Sequence, residues 1–314
     1  GRIMYTFGIK HTTADNMTTM LQGSQVGPTP TFFFDYSVKD LRRDITCCPF
    51  QWTKGVQTLQ SFKSWSFGKL RYEWTNRMIP TGNDDGINRQ YMRYADIVLM
   101  RAELENELNG ASAAVPYLTK IRNRAFATSD RATEVTAYVA EAALSKEKMF
   151  QAIVDERAYE FAGELIRKAD LIRWGMLKSK MDETKNKMKA IVSLTDYDSK
   201  HPYSQLSGHA YYKMSAYTWT RNGIETTEKD AKLNLYGLNY GEMDINPEGY
   251  TEFSDSKGEA STWIKDNALE DVIDYLYVRD PDKYQYWPIF NVNLNDNPNL
   301  SNYCLLYTSD AADD

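Results

Sequence analysis

The sequence predicts a mostly α-helical fold with helical hairpins, long irregular loops rich in aromatic residues, and little β-structure. Apolar residues recur at steps of three and four between residues 89 and 191, which is the spacing of one helix face. The parts before and after this region mix Tyr and Trp with Gly, Asn and Ser, a composition typical of ordered loops. Strand-like alternation is confined to one short segment.

The first region, residues 1–88, is predicted to consist of loops and short strands. Thr31–Tyr36 is an aromatic run that suits either a buried strand or the rim of a binding site. Lys69–Trp74 alternates polar and apolar residues, which indicates a short strand. Gly82–Gly86 has the composition of a turn or loop.

The helical core, residues 89–191, opens with two helices joined by a short connection. The first is predicted from Arg89 to Asn109, with Gly110 as its stop. Ser112 is the predicted cap of the second helix, which continues to Phe126. So short a joint requires an antiparallel pair, which is the geometry of a tetratricopeptide-like hairpin.

A loop over Ala127–Val139 is predicted to lead into one long helix, Ser145–Trp174, which Gly175 ends. Lys178–Ile191 is predicted to form a further, more exposed helix. One side of the long helix should face the core because its apolar residues keep helical spacing. They are Phe150, Val154, Ala158, Phe161, Leu165, Ala169 and Ile172.

Charged residues follow every third position along a second side of the same helix. Opposite charges at this spacing form ion pairs on a helix surface. The predicted structural ion-pair network comprises Glu156, Arg157, Glu164, Arg167, Asp170 and Arg173. The alternative is the carboxylate pair of a glycoside hydrolase. That pair flanks its substrate from opposing faces of a cleft, whereas these glutamates share one helix side.

Residues 192–303 are predicted to be rich in loops. Thr195–Ser256 consists mostly of Tyr, Ser, Asn, Gly, Thr and Asp, and Ala268–Val278 suits a last short helix or strand. The final segment, residues 304–314, reads as the translation of a sequencing adapter and is predicted to be a non-native tail. Residues 1–303 are taken as one domain, and we expect it to be incomplete because the chain opens at Gly1 with no initiator Met.

Composition argues against several functions. The net charge of −6 argues against nucleic acid, which requires a basic surface. Only three histidines are present and none stands at metal-ligand spacing, so no metal site and no cofactor are expected. The 22 Tyr, 12 Phe and 7 Trp are compatible with sugar binding, because such rings have an apolar face and, in Tyr and Trp, a polar edge.

Three blocks of sequence resemble, in order, the SusD/RagB family of outer-membrane lipoproteins that bind glycans in Bacteroidetes-type bacteria. The first is Arg93–Glu103, RYADIVLMRAE, followed by the helix Ala114–Ala125 with its Ile-Arg-Asn-Arg-Ala ending. The second is Glu156–Gly175, ERAYEFAGELIRKADLIRWG. The third is Trp287–Leu300, WPIFNVNLNDNPNL.

This resemblance implies a non-catalytic protein that captures nutrient oligosaccharide at the cell surface and delivers it to a SusC-like, TonB-dependent outer-membrane transporter. It further implies that the chain is the C-terminal portion of a parent held in the membrane by an N-terminal lipid anchor, with the anchor cysteine missing here. Rival interpretations are a tetratricopeptide-like scaffold for a protein partner and, less well supported, the glycoside hydrolase.

The sugar-binding loops of the family do not match this sequence residue by residue, so candidates come from side-chain chemistry alone. Trp52 and Trp65 are the candidate stacking rings, with Tyr36, Arg42 and Asp44 as polar neighbours. The alternative for each ring is burial in the core, which is common for Trp.

Overall fold

The structure is a computed structural model. It describes residues 2–15, 17–19, 23–54, 56–75, 78–79, 87–221, 224–234, 237–242, 246, 248–254, 258, 262–266, 268 and 270–284. The predicted loop Gly82–Gly86, the C-terminal motif Trp287–Leu300 and the tail 304–314 lie outside these residues.

The first region contains short elements. Its helices are α1 (Ile3–Phe7), α2 (Pro30–Asp35) and α3 (Arg43–Thr46). Its strands are β1 (Cys47–Cys48), β2 (Phe50–Thr53), β3 (Val56–Leu59) and β4 (Ser66–Phe67), in the antiparallel pairs β1–β4 and β2–β3. The aromatic run at Thr31 lies in α2, whose first residue is a proline with φ suited to a helix start. The strand predicted at Lys69–Trp74 is wrong, since Tyr72–Trp74 forms a 3₁₀ turn.

Helices α4 (Tyr94–Asn109) and α5 (Ala111–Ala125) form the predicted antiparallel hairpin. Gly110 joins them with φ +88°, a conformation that favours glycine. The first helix begins at Tyr94 rather than Arg89, and Ser112 lies inside the second helix instead of capping it. The hairpin packs through buried apolar residues that include Leu99 and Leu118.

A second helical pair follows. The predicted loop Ala127–Val139 instead holds a 3₁₀ turn, a π-helical stretch (Ala132–Ala137) and the start of α6 (Tyr138–Ala142). Helix α7 (Lys146–Phe161) begins where the Ser145 hydroxyl accepts a hydrogen bond from the Lys148 backbone N–H at 3.1 Å.

The prediction of one continuous helix to Trp174 is wrong. Helix α7 ends at Phe161, and a turn over residues 162–166 leads to α8 (Arg167–Arg173). Gly163 and Leu165 adopt φ values of +79° and +66° in this turn, which no right-handed helix accommodates. The left-handed conformation costs a leucine about 1–2 kcal/mol, and Leu165 is half-exposed rather than part of the apolar stripe.

Gly175 ends α8 as predicted. Its φ is +65°, its N–H bonds to the Ile172 carbonyl at 3.0 Å, and the Met176 N–H bonds to the Leu171 carbonyl at 2.8 Å. This pair of hydrogen bonds is a Schellman motif, which satisfies carbonyls left open at the end of a helix. Helix α9 (Leu177–Ser193) follows where a further helix was expected.

The last described region contains more β-structure than its loop-like composition predicted. Strands β5 (Tyr211–Arg221) and β6 (Ile224–Asn234) pair along eleven positions each, and β7 (Thr251–Glu252) adds to the other edge of β5. A short helix, α10 (Trp263–Asp266), and a 3₁₀ stretch, Glu270–Leu276, come next. The mostly α-helical fold class is confirmed all the same.

Three apolar clusters support this architecture. One lies between α4, α5, α6 and α7. A second joins α2 and Trp65 to α9 and to Trp263 of α10, so residues distant in sequence share one core. A third, around Met4 and Trp52, lies within the first region. Among the described residues no helix has the length and apolar character needed to span a bilayer.

Candidate functional site

The turn between α7 and α8 places Asp170 against Arg157. Arg157 Nε lies 2.7 Å from Asp170 Oδ2, and Arg157 Nη1 lies 2.8 Å from Asp96 Oδ1 on α4. Arg173 Nε lies 3.0 Å from Asp170 Oδ1, and its Nη1 reaches Glu103 at 2.5 Å. These contacts tie α4, α7 and α8 together.

Three glutamates on α7 and in the following turn receive cations from elsewhere in the chain. Glu156, fully buried, accepts from Arg42 at 2.8 Å and from Arg122 at 2.7 Å. Glu160 accepts hydrogen bonds from the guanidinium groups of three arginines: Arg42 (2.8 Å), Arg93 (2.6 Å) and Arg124 (2.5 Å). Each buried carboxylate is therefore paired and hydrogen-bonded, which offsets the cost of its desolvation.

Glu164 and Arg167 lie at the edge of this network. The Glu164 carboxylate accepts from Lys69 Nζ at 2.6 Å and from Arg93 Nε at 2.7 Å. Arg167 donates to the Val154 backbone carbonyl at 2.8 Å rather than to a carboxylate. The ion pairs predicted along one straight helix are thus replaced by contacts between residues of separate elements.

The arrangement of the α7 carboxylates is unlike that of a glycoside hydrolase. One atom, Arg42 Nη1, lies 2.8 Å from an oxygen of both Glu156 and Glu160, where a hydrolase would place its substrate. Burial raises the pKa of Glu160, but hydrogen bonds and charges from Arg93, Arg42 and Arg124 outweigh it and lower the pKa below the ordinary value. A general acid needs the opposite shift.

The candidate stacking rings lie in the core. Trp52 is 1% exposed beside Phe50, and Trp65 is 2% exposed, with edge-to-face contacts to Phe33 and Phe62 at 5.2 Å. Tyr36 is buried too. A sugar stacks on an open ring face, so Trp52 and Trp65 are placed for core packing, the alternative that the sequence left open.

The two polar candidates have different surroundings. Arg42 is largely buried, and its guanidinium is shared between Asp40, Glu156 and Glu160. Asp44 is exposed and pairs with Arg43 Nε at 2.9 Å. The five candidates therefore do not converge on one open surface.

Open aromatic rings occur elsewhere, at positions that sequence reasoning did not select. Trp74 is 56% exposed, with the Arg71 guanidinium carbon 4.8 Å from its ring centre. Tyr91 is 80% exposed, with the Arg89 guanidinium carbon at 5.2 Å. An arginine two or three residues before each ring is the only signal in the sequence, and it is weak. Guanidinium stacking holds the orientation of such a ring.

Metal-binding and thiol chemistry find little support in the described residues. No group of three or more His, Cys, Asp or Glu side chains has the geometry to hold a metal ion in that part of the chain. Burial raises the pKa of Cys47 and raises that of Cys48 to about 12. Both thiols are therefore protonated at neutral pH, and thiolates are the reactive and ligating form.

Comparisons with known proteins show which family this chain resembles. The model of the SusD family matches residues 55–305. SusD-like protein P25 of Formosa agariphila is 48% identical over 90 residues, which cover 29% of this chain and 16% of that protein. The crystal structure of a SusD homolog from Bacteroides thetaiotaomicron superposes with a TM-score of 0.54 at 22% identity, covering 60% of this chain and 40% of the other.

The chain thus spans less than half the length of either relative. The structural likeness, at this identity, supports the fold, while the family match extends from the first region through the helical core to the C-terminal motif. The α4–α5 hairpin and the α7–α8 segment both lie inside the matched range. This chain belongs to the SusD family.

Proposed function

We propose that this protein binds oligosaccharides as nutrients at the cell surface and does not cleave them. Membership of the SusD family is the observation that carries the proposal. The mechanism is binding alone, in which aromatic rings stack on the apolar faces of sugar rings and polar side chains bond their hydroxyl groups.

The α7 carboxylates support the non-catalytic part of the proposal. Glu156 and Glu160 share Arg42, each pairs with at least one further arginine, and both are buried. A hydrolytic pair needs an acid with a raised pKa and a second carboxylate across a substrate-sized gap. The pKa of Glu160 is lowered instead, and Arg42 fills the space between the two carboxylates.

We further propose that the parent protein is held at the outer membrane by a lipid anchor and passes its glycan to a SusC-like, TonB-dependent transporter. Both statements rest on the family alone. They explain how a binding protein without a spanning helix in its described part would act at a membrane.

An oligosaccharide array followed by calorimetric titration tests the binding, and chromatography of the same oligosaccharides after incubation tests for cleavage. We expect saturable binding of at least one oligosaccharide, with every bound sugar recovered intact. Release of shorter products by the purified protein would overturn the non-catalytic assignment. Failure to bind any oligosaccharide would overturn the binding assignment.

One observation favours a protein-binding role in addition. The side of α4 opposite the core carries apolar residues at steps of three, seven and four, although a solvated helix face is normally polar. These exposed residues are Tyr94, Ile97, Leu104 and Leu108. We propose the SusC-like transporter as the partner for this face.

Replacing Leu104 and Leu108 by Glu tests this role. The double variant should lose co-purification with a SusC-like transporter while glycan binding stays unchanged, because charge at the centre of an apolar interface is unfavourable. Val278→Glu is the matched control, since Val278 is exposed but lies outside α4. Unchanged co-purification of the double variant would exclude α4 as the docking face.

A further inference from the structure

The joint between α4 and α5 contains an asparagine–glycine pair. Asn109 is the last residue of α4, and Gly110 is the single residue between the two helices. The Asn109 side chain is exposed. Asparagine is a chemically labile residue, and its side-chain amide is most easily attacked where the next residue has no side chain. The pair therefore has the composition of a deamidation site.

The backbone at Gly110 leaves room for this attack. Gly110 adopts φ +88°, and no described atom beyond its neighbours in the chain lies within 4 Å of the position that a Cβ would take. Because helix ends fray, the last peptide bond of α4 changes conformation more easily than one inside the helix. The Gly110 nitrogen can therefore approach Asn109 Cγ without displacing another group.

Glu105, one helical turn before Asn109, restrains the same amide. Asn109 Nδ2 donates to Glu105 Oε2 at 2.5 Å, and Glu105 Oε1 pairs with Arg101. The hydrogen bond from Asn109 and then the charge of Arg101 lower the pKa of Glu105, so this carboxylate is ionised at neutral pH. An amide bonded to an ionised acceptor is harder to release, and the carboxylate opposes the negative charge that develops on the attacking nitrogen.

The reaction that this geometry permits consumes only water. The Gly110 nitrogen loses its proton and forms a bond to Asn109 Cγ, while the Cγ–Nδ2 bond breaks and Nδ2 takes up a proton and leaves as ammonia. Water then opens the cyclic imide. Cleavage of the new Cγ–N bond gives aspartate, and cleavage of the original peptide bond gives isoaspartate, whose backbone runs through the side chain.

We propose that Asn109–Gly110 is a site of spontaneous deamidation in the folded protein and that Glu105 slows the reaction. The proposal is independent of carbohydrate binding. The product places a second carboxylate one turn after Glu105, at the C-terminal end of a helix, where negative charge is unfavourable. Isoaspartate also adds one atom to the backbone at a joint of a single residue. The end of α4 should therefore loosen as the protein ages.

The test follows the purified full chain during incubation in mildly alkaline buffer, which favours loss of the Gly110 proton. Trypsin cleaves after Arg101 and Lys120, so the peptide of residues 102–120 contains both Asn106 and Asn109. Mass spectrometry of its fragments separates the two positions, and enzymatic methylation detects isoaspartate. We expect aspartate and isoaspartate to accumulate at Asn109, which gives the peptide one further negative charge.

Asn106 is the control within the same peptide. It is 2% exposed, its Nδ2 donates to the Lys146 carbonyl at 3.0 Å, and Glu107 follows it in place of a glycine. We expect no conversion at Asn106. The chain has a second asparagine–glycine pair at residues 222–223, which lies outside the described residues. It falls in a different tryptic peptide, so its reactions do not enter the measurement.

Variants test the role of Glu105. Glu105→Ala should speed conversion at Asn109 roughly fivefold, because it removes a hydrogen bond to a charged acceptor that must break in the reaction. Glu105→Gln keeps the size of the side chain without its charge and should speed conversion less. Glu107→Ala is the matched control, since Glu107 is exposed and pairs with Lys146. Its rate should equal that of the unchanged protein.

Two outcomes would overturn the proposal. A synthetic peptide of residues 102–120 provides the reference for an unrestrained asparagine. If this peptide converts while the folded chain stays unchanged over the same period, Asn109 is not a deamidation site in the protein. If Glu105→Ala keeps its helix content by circular dichroism and converts no faster than the unchanged protein, Glu105 does not slow the reaction. Should Glu105→Ala lose helix content, an unchanged rate in Glu105→Gln has the same meaning.

Discussion

Arg157 and Asp170 are thirteen residues apart in the sequence, yet Arg157 Nε lies 2.7 Å from Asp170 Oδ2. On one straight helix thirteen residues would separate their backbones by about 20 Å, at 1.5 Å per residue. The contact exists because the chain reverses direction over residues 162–166. The ion pair between Arg157 and Asp170 therefore depends on the break between α7 and α8.

Asp170→Ala should lower the free energy of unfolding by about 3 kcal/mol, because it leaves the buried Arg157 guanidinium with one carboxylate fewer. Guanidinium chloride unfolding followed by circular dichroism measures this change. Asp44→Ala removes an exposed carboxylate of a surface pair and should cost less than about 1 kcal/mol. Similar losses for the two variants would contradict a special role for the buried pair.

Acid should destabilise the fold through Glu160. Its pKa in the folded protein lies below the ordinary 4.5, so ionised Glu160 stabilises the fold above that pH and the contribution is lost as pH falls through the folded pKa. Glu160→Gln should therefore be less stable than the unchanged protein at pH 7. The difference should shrink below pH 4.5, and unfolding at a series of pH values checks this. A constant difference from pH 7 to pH 3 would exclude the effect.

Gly163→Ala should destabilise the protein more than Gly175→Ala. Both glycines have positive φ, so alanine is strained at each, at a cost of about 1–2 kcal/mol. A Cβ at Gly163 would also lie 3.0 Å from Phe67 Cγ, whereas at Gly175 nothing lies within 4 Å. Overpacking adds about 1 kcal/mol or more, measurable by thermal unfolding. Equal melting temperatures for the two variants would show that the turn accommodates the added Cβ beside Phe67 without further loss of stability.

Trp65→Ala should cost about 3–5 kcal/mol, because it empties a buried ring site between Phe33 and Phe62. Trp74→Ala removes a half-exposed ring and should cost less than about 1 kcal/mol. Chemical unfolding of the two variants side by side measures the difference. If Trp65→Ala lost glycan affinity at unchanged stability, Trp65 would belong to the binding surface and not to the core.

Helical spacing in the sequence predicts the α4–α5 hairpin, the presence of α7 and the helix stop at Gly175, because these depend on local contacts. The turn at Gly163 was missed because a leucine at positive φ is unfavourable locally and is held by contacts from elsewhere. The β5–β6 hairpin was missed for a related reason. Tyr, Thr and Ser suit strands and ordered loops alike, so pairing decides between them.

The candidate site was harder to predict than the fold. Whether a tryptophan lies in the core or at the surface depends on elements distant in sequence, as the contact of Trp65 with Phe33 illustrates. Glu156 and Glu160 likewise share one partner, Arg42, which lies more than one hundred residues away in the sequence. Spacing along one helix contains no information about such partners.

Arg42 and Lys69 both precede residue 75 in the chain. Their side chains bond to carboxylates of α7 or of the turn that follows it. Trp65 and Phe33 also pack in one core with Ile191 and Trp263, which follow residue 91 in the chain. A protease nick between Trp74 and Tyr91 would therefore give two fragments that co-elute at neutral pH. Protonation of Glu160, whose pKa lies below its ordinary value beside Arg42 and Arg93, would weaken that attachment as pH falls, so the nicked protein would dissociate at a milder pH than the intact chain unfolds.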